Sequence, residues 1–400
     1  MIDHGAEAPV AGPLDAGVPS LDSVARLREG HDLRPDRRGG RQSRSRHLDQ
    51  GDTPMHGRSW ALVGIGITWI WVMLVAGAGE VAAQGKIVIY AAEDEKTTNA
   101  LTTQFTDETK IGTEVIRIPA AGTLATRIRA EKAAPKADIF IGGSVEFHEP
   151  LAAEGLVLPY RSPVVAQANI DPVFVSPKDY WHGWFMGTLV IILNPQRFER
   201  EIASQGLSKP KTWDDLLHPA YRKKLVSGAP ATCGGAYIFT AVQIFRNGGE
   251  DKGFDWLKRY DAQILQYTPT CPAPITLVAR GEAVAGMTWQ DDATEAMLAK
   301  QPIEVIFPPD TGAEIGGASI IKGGPNPEGA KKFVDFLLGQ KAQSIKTELG
   351  FTYPVRGDVA PPKSVPPLSA IKLVKYDRQF AIDNRARLTK KWDDEIGSKR

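Results

Sequence analysis

The sequence predicts an α/β fold built on a largely parallel sheet. Short β-branched runs alternate with helically spaced stretches over short links, which is the pattern of repeated βαβ units. One of those runs, ADIFIGG (137–143), is almost wholly apolar, as in a strand covered by helices on both faces. The composition, 42% hydrophobic and 24% charged over 400 residues, is that of a globular protein of one or two domains.

Each element can be read in turn. KIVIYAAEDE (86–95) is a strand opening into an acidic loop, and residues 97–109 have helical spacing with Leu101 and Phe105 on one face. A second strand, 113–118, runs into PAAGT, and a helix carrying Ile128 and Ala130 follows. After ADIFIGG comes a helix over 147–154. GTLVIILN (187–194) is a long strand, TWDDLLHP (212–219) reads as a capped helix, and KKLVSGAP (223–230) is another strand. ATCGGAYIFTAVQIF (231–245) sets Gly234 and Gly235 at the start of an apolar helix. GFDWLKRY, ILQYT, PAPITLVARGE and AVAGMTW continue the alternation. EIGGASIIKGG (314–324) is a strand, and PEGAKKFVDFLLG (327–339) an amphipathic helix. In such sheets ligands sit beyond the carboxyl ends of the strands. Those ends include Ala91-Ala92-Glu93, Ala121-Gly122-Thr123 and Gly142-Gly143-Ser144.

The first 54 residues differ from the rest. They hold eight arginines and no lysine, are rich in Gly, Pro, Ser and Asp, and show no apolar periodicity. Residues 1–54 are expected to be a disordered or mis-assigned extension, with Met55 as the true start. Residues 55–83 read as a signal peptide: a basic MHGRSW, an uncharged run over 60–79, and Val81-Ala82-Ala83 as a cleavage pattern before Gln84. A retained membrane anchor is the alternative. Either way residues 84–400 are exported, and the compartment permits disulfides. The formal charge of +1 gives no global field for nucleic acid or an anionic membrane.

The blocks KIVIYAAEDE, RIRAEKAAPKADIFIGG, KTWDDLLHPAYRKKL, LVARGEAVAGMTW and GGPNPEGAKKFVDFLL, in this order, resemble an ABC-transporter periplasmic solute-binding protein. The group is that of ferric-ion-binding proteins and their sugar-phosphate- and phosphonate-binding cousins. The resemblance implies a periplasmic-binding-protein-like fold: two α/β lobes joined by two crossing strands, 187–191 and 314–319, around a ligand cleft. The expected lobes are 84–186 plus 320–350 and 187–319 plus 351–400. It also implies a non-enzymatic, monomeric carrier in the periplasm that hands a small molecule to an ABC permease of the inner membrane and uses no cofactor. Iron binders of this group carry adjacent tyrosines where this chain has Trp289-Gln290-Asp291-Asp292, which argues against a metal site.

The expected ligand joins an anionic head to hydroxyl or amine groups, as in a sugar phosphate or an aminoalkyl phosphonate. A polyamine-like cation, ferric iron and, in a different class, an exported hydrolase are the alternatives. No Ser–His–Asp set, P-loop or HExxH motif supports the last. Helix starts at Thr232, Gly234 and Gly235 and at Thr270 and Ala273 would by themselves suit ordinary capping and tight turns. The resemblance makes both loops ligand-facing, so their free N–H groups are expected to meet an anion, with Thr123 and Ser144 adding hydroxyls. Glu93 is the member of the Glu93-Asp94-Glu95 cluster expected at the cleft. Trp289 either stacks on the ligand or packs in the core. Asp291 is expected to bind ligand, and Asp292 to cap the helix or support Asp291 from behind. His148, His182 and His218 lack metal spacing, and no nucleic-acid partner is expected. Cys233 and Cys271 each follow a strand in the same lobe. Loops after neighbouring parallel strands lie side by side, so a Cys233–Cys271 disulfide is expected.

Overall fold

The computed structural model describes residues 85–399; the extension, the signal peptide and the cleavage site at Ala83 lie outside these described residues. The first alternation runs β1 (Ile87–Ala91), α1 (Glu95–Thr109), β2 (Thr113–Arg117), α2 (Ala121–Ala130), β3 (Ile139–Ser144) and α3 (Val145–Ala153). β4 (Val157–Leu158) and α4 (Pro163–Gln167) lead to the long β5 (His182–Leu193). The second alternation is α5 (Pro195–Glu201), β6 (Leu225–Gly228), α6 (Gly234–Arg246), α7 (Glu250–Asp261), β7 (Ile264–Thr268), α8 (Ala273–Ala279), β8 (Ala285–Trp289) and α9 (Gln290–Leu298). β9 (Glu304–Ile306) and β10 (Ala313–Ile321) precede α10 (Pro327–Leu338), α11 (Gln340–Gly350), α12 (Arg378–Asp383) and α13 (Arg385–Glu395). Among the described residues no helix is long and apolar enough to cross a membrane.

The strands form one continuous sheet in the order β2-β1-β3-β10-β5-β8-β6-β7, with β4 beside β10 and β9 beside β5. The flanks are parallel, as the βαβ pattern requires: β1 with β2 and β3, and β6 with β7 and β8. The centre corrects the expectation of a largely parallel sheet. β10 runs antiparallel to β3, β4 and β5, and β5 antiparallel to β8 and β9, because both long strands cross between lobes and one returns. Both crossings are buried along nearly their whole length, which explains their continuous apolar runs. β10 shifts register around Gly316, so the sheet kinks where it passes from one lobe to the other.

Each lobe buries its own clusters. On one side Ile87, Ile89, Leu101, Phe105 and Ile139 pack against Phe333, Val334 and Leu337 of α10. On the other, Leu189, Ile191, Trp213, Tyr237, Phe239, Trp256 and Tyr260 form the largest cluster, and the C-terminal Ala381, Leu388, Trp392 and Ile396 complete it. The same C-terminal segment reaches across to the first lobe: the Arg378 guanidinium is 2.7 Å from Glu146 Oε1, and Arg385 lies 3.7 Å over the Phe147 ring.

TWDDLLHP is not an α-helix but a 3-10 turn over Asp214–Leu217. Asp215 Oδ2 accepts from the N–H groups of Lys211 and Thr212 and closes the turn, and Pro219 forces His218 into an extended conformation that ends it. The two cysteines are joined as expected, with Cα atoms 5.1 Å apart, because β6 and β7 are parallel neighbours and their following loops meet. The bond closes a separation of 38 residues. Replacing both cysteines by serine should lower unfolding free energy by about 4 kcal/mol in the chain-entropy account. Denaturant unfolding of the oxidised protein and the double variant checks this; equal midpoints and slopes would show that the bond contributes no stability.

Candidate functional site

A cavity of about 390 Å³ lies between the lobes, walled by the ends of β1, β2, β3 and β8, the starts of α2, α6 and α9, and both crossings. A larger hollow of about 710 Å³ beside Lys211 and Arg259 touches none of these strand ends, so size alone does not choose the site. The topology does: strands that point the same way in each lobe present their carboxyl ends to one gap.

The wall divides into two chemistries. Seven acidic residues line it: Glu93, Asp94, Glu95, Asp291, Asp292, Glu295 and Glu314. Glu93 folds over Gly142, whose φ of +78° and missing Cβ leave room for the carboxylate; a Cβ there would sit 2.3 Å from Glu93 Oε1. A Cβ on Gly187, paired in register with Glu314, would lie 3.4 Å from Glu314 Oε1 and 3.7 Å from Asp291 Oδ1. Those two carboxyls therefore converge over one point of the crossing strand. The other chemistry is the set of helix N-termini. α2 begins at Ala120 without a side-chain cap, and α6 begins at Cys233, whose Sγ accepts only from Ala236 N–H. The two ends meet: a Cβ on Gly122 would lie 2.6 Å from the Ala231 carbonyl and 3.3 Å from Thr232 Cα. First-turn N–H groups lack intrahelical partners and carry the positive end of the helix dipole. The start of α9 holds its own anions, Asp291 and Asp292, so α2 and α6 are the ends open to another.

Arg117 lines the wall, with Nη1 3.4 Å from the Glu93 carbonyl and Nη2 3.9 Å from Glu95. Lys346 lies behind the wall, fully buried, and its ammonium is ion-paired with Glu93 Oε2. Burial pushes Glu93 up to about 7, against the pull of Lys346. Burial also raises Asp291; it holds Asp292 and Glu314 well above the carboxylate range, and Asp291 beside each pushes the same way. For Lys346, burial alone would favour the neutral amine, but Glu93, Asp94 and Asp291 outweigh it and keep the ammonium. Among the described residues no three His, Cys, Asp or Glu side chains are arranged to hold a metal ion.

Of the residues singled out in the sequence, Glu93, Thr232, Gly234, Trp289, Asp291 and Asp292 line the cavity together. Gly235 lies beneath Trp289, where a Cβ would meet the indole at 3.1 Å, so the ring both packs on α6 and faces the cleft. Ser144 is buried just behind Gly234 with its hydroxyl unpartnered. Thr123 is exposed on α2, off the wall. Thr270 uses its carbonyl to accept from Thr268, and it and Ala273 flank Cys271 and Pro272, which do line the cavity. Neither Asp291 nor Asp292 caps α9: the cap position is Trp289, and both carboxylates stand in the first turn, facing the cleft. His148 stacks on Phe140 and bonds Ser319 and Gly142, a packing role.

Sequence reasoning passed over Arg117, Gln290, Glu314 and Lys346. Glu314 was detectable as an acid inside an otherwise apolar strand. Gln290 accepts from Thr188 N–H and donates to the Phe351 carbonyl, bracing the start of α9. Lys346 gives no such signal, because the buried face of α11 is Ala342, Gln343, Lys346, Thr347 and Gly350, mostly polar.

The family model described as bacterial extracellular solute-binding protein matches residues 134–381. An uncharacterized protein of Haemophilus influenzae is 30% identical over 342 residues, 81% of this chain and 95% of the relative. Iron uptake protein A1 of Synechocystis is 24% identical over 70% of this chain and 79% of the relative. A putative 2-aminoethylphosphonate-binding periplasmic protein of Salmonella typhimurium is 27% identical over 60% and 68%. Among solved structures, the periplasmic binding protein AfuA of Actinobacillus pleuropneumoniae with fructose-6-phosphate bound superposes with TM-score 0.73 at 31% identity, covering 78% of this chain and 99% of that one.

The raised pKa of Glu93 sets a sign for stability. The fold binds this proton more tightly than the unfolded chain, so the contribution is full below about 4.5 and is lost as pH rises through about 7. Glu93→Gln removes it. The melting temperature of the unliganded wild type minus that of the variant should therefore fall steadily from pH 4.5 to pH 7.5. A difference that stays flat or rises over this window would show that Glu93 is not raised.

Proposed function

The chain belongs to the bacterial extracellular solute-binding protein family, and on that premise we propose that it captures a small phosphorylated polyol, a sugar phosphate, in the cleft between its lobes and delivers it to an ABC permease. One observation carries the reading: the cleft joins two open helix ends to a cluster of acidic hydrogen-bond acceptors, and some of its polar atoms have no protein partner. Asp291 Oδ1 and Thr232 Oγ1 are buried and unpartnered. Unmet buried polar groups cost about 1–3 kcal/mol each, and a ligand that fits relieves that cost. The phosphoryl group would sit at the N-termini of α2 and α6 beside Thr232, and the hydroxyls would donate to Glu93, Asp291, Asp292 and Glu314. AfuA, 31% identical over nearly its whole length, carries fructose-6-phosphate, which supports this class. An aminoalkyl phosphonate is the second reading, favoured by the same acidic cluster and by the Salmonella typhimurium relative.

In this reading residues 84–400 are the exported protein, with cleavage after Ala83; N-terminal sequencing of the secreted form should begin at Gln84. The lobes are assigned as 84–186 plus 320–350 and 187–319 plus 351–400. Titration calorimetry with fructose-6-phosphate and glucose-6-phosphate tests the ligand. Asp291→Asn should weaken binding by about 1–3 kcal/mol through loss of a charge-assisted acceptor, with only a small change in melting temperature, since Asp291 stands in the first turn of α9 but caps no helix. Absence of binding to any hexose phosphate by the folded, ligand-stripped wild type would overturn the reading, as would catalytic loss of the phosphate.

A further inference from the structure

Lys346 carries a role that the cleft's direct contacts do not explain. It is not among the residues that line the cavity. Its side chain is 3% exposed, its ammonium is bonded to Glu93, and it lies 4.3 Å from the Phe185 ring centroid and 5.4 Å from that of Trp184. Two aromatic faces and a carboxylate hold one cation in place from behind. Gly350, one turn later on α11, leaves room beside it: a Cβ there would lie 3.2 Å from Lys346 Nζ and crowd it. The groups that feel this charge come from every element packed around it: Glu93 and Asp94 from the β1–α1 loop, Asp291 and Asp292 from α9, and Glu314 from β10.

Resting on the sugar-phosphate reading, we propose that Lys346 is a specificity-determining positioning residue, an internal counter-cation that occupies the electrostatic place of a ligand ammonium and so selects neutral hydroxyl groups over amines. The reasoning is a balance of charge. Without a cation, the crowded carboxyls of Glu93, Asp291, Asp292 and Glu314 would hold their protons, and any ammonium that fitted would draw out a carboxylate to pair with it. With Lys346 fixed behind Glu93, that pairing is already taken, and a second cation meets repulsion from the first. Hydroxyl donors suffer no such repulsion and still find carboxyl acceptors. Discrimination is then built by a repulsive element rather than by added contacts. The ammonium of Lys346 also aims the Glu93 carboxylate: one oxygen is taken by the ion pair, and Glu93 is itself part of the cavity wall.

The test is a ratio of dissociation constants, fructose-6-phosphate against 2-aminoethylphosphonate, in wild type, Lys346→Arg and Lys346→Met. Wild type should prefer the sugar phosphate, and Lys346→Arg should keep the preference. Lys346→Met should shift the ratio on the order of tenfold toward the aminophosphonate, through both weaker sugar binding and stronger amine binding. If Lys346→Met fails to fold, the Glu93→Gln/Lys346→Met double variant removes the pair as a unit and should shift the ratio in the same direction. A folded variant that weakens both ligands equally, leaving the ratio unchanged, makes Lys346 merely structural and overturns the proposal while the sugar-phosphate reading stands. A wild type that binds neither probe overturns that reading instead, and the role of Lys346 with it.

Discussion

The antiparallel pairing of β5 with β10 is the constraint on which the rest of this structure hangs. Each lobe supplies parallel strands whose ends point outward from its own core, and only a shared central pair can set those ends face to face. β5 pairs with β10 over residues 182–188 and with β8 over 189–193, so a single strand belongs to both halves. β10 does the same in reverse, meeting β5 first and β3 and β4 later. Because both strands are buried, their backbone polar groups are satisfied within the sheet, and the kink at Gly316 is where bending is confined.

The charge distribution follows from that geometry. Strand ends and helix starts alternate around the gap, so acceptors and donors are interleaved on its wall. Crowding carboxyls into a closing space raises their proton affinity, and the fold answers with one buried ammonium and two helix dipoles. The cluster is tolerable because its charge is met in two ways: Glu93 is paired with Lys346, and Asp292 and Glu314 are pushed toward their protonated forms by burial and by Asp291. A cleft arranged so is preorganised, and its ligand meets acceptors that need little further ordering.

Much of this was legible in the sequence. The βαβ alternation and the disulfide are local or nearest-neighbour properties, encoded in periodicity and in loops that follow adjacent strands, whereas the crossings came from the family resemblance alone. Asp291 and Asp292 were legible because two acids after an apolar strand are conspicuous. Lys346 was not, since its partner Glu93 is 253 residues away and the helix that carries it buries polar side chains. TWDDLLHP misled because Asp and Pro both compete with helix propagation, one through its side-chain acceptor and the other through backbone sterics. Thr123 was misplaced by two residues, which on a helix turns its side chain to the far face: the strand end was right, and Pro119, Ala120 and Ala121 reach the wall instead.

The C-terminal segment has a consequence for how the molecule comes into being. Ala381, Leu388, Trp392 and Ile396 fill the core of a lobe whose first strands are laid down two hundred residues earlier, and Arg378 and Arg385 clasp α3 of the other lobe. The first lobe likewise waits for β10 and α10 to complete its sheet and its helix layer. Neither half has a finished core until almost the whole chain has been synthesised. A polypeptide emerging from the ribosome N-terminus first is thus held open by its own topology, with contacts too distant in sequence to close early. That delay suits a member of an extracellular family, whose folded form is wanted only outside the cytoplasm.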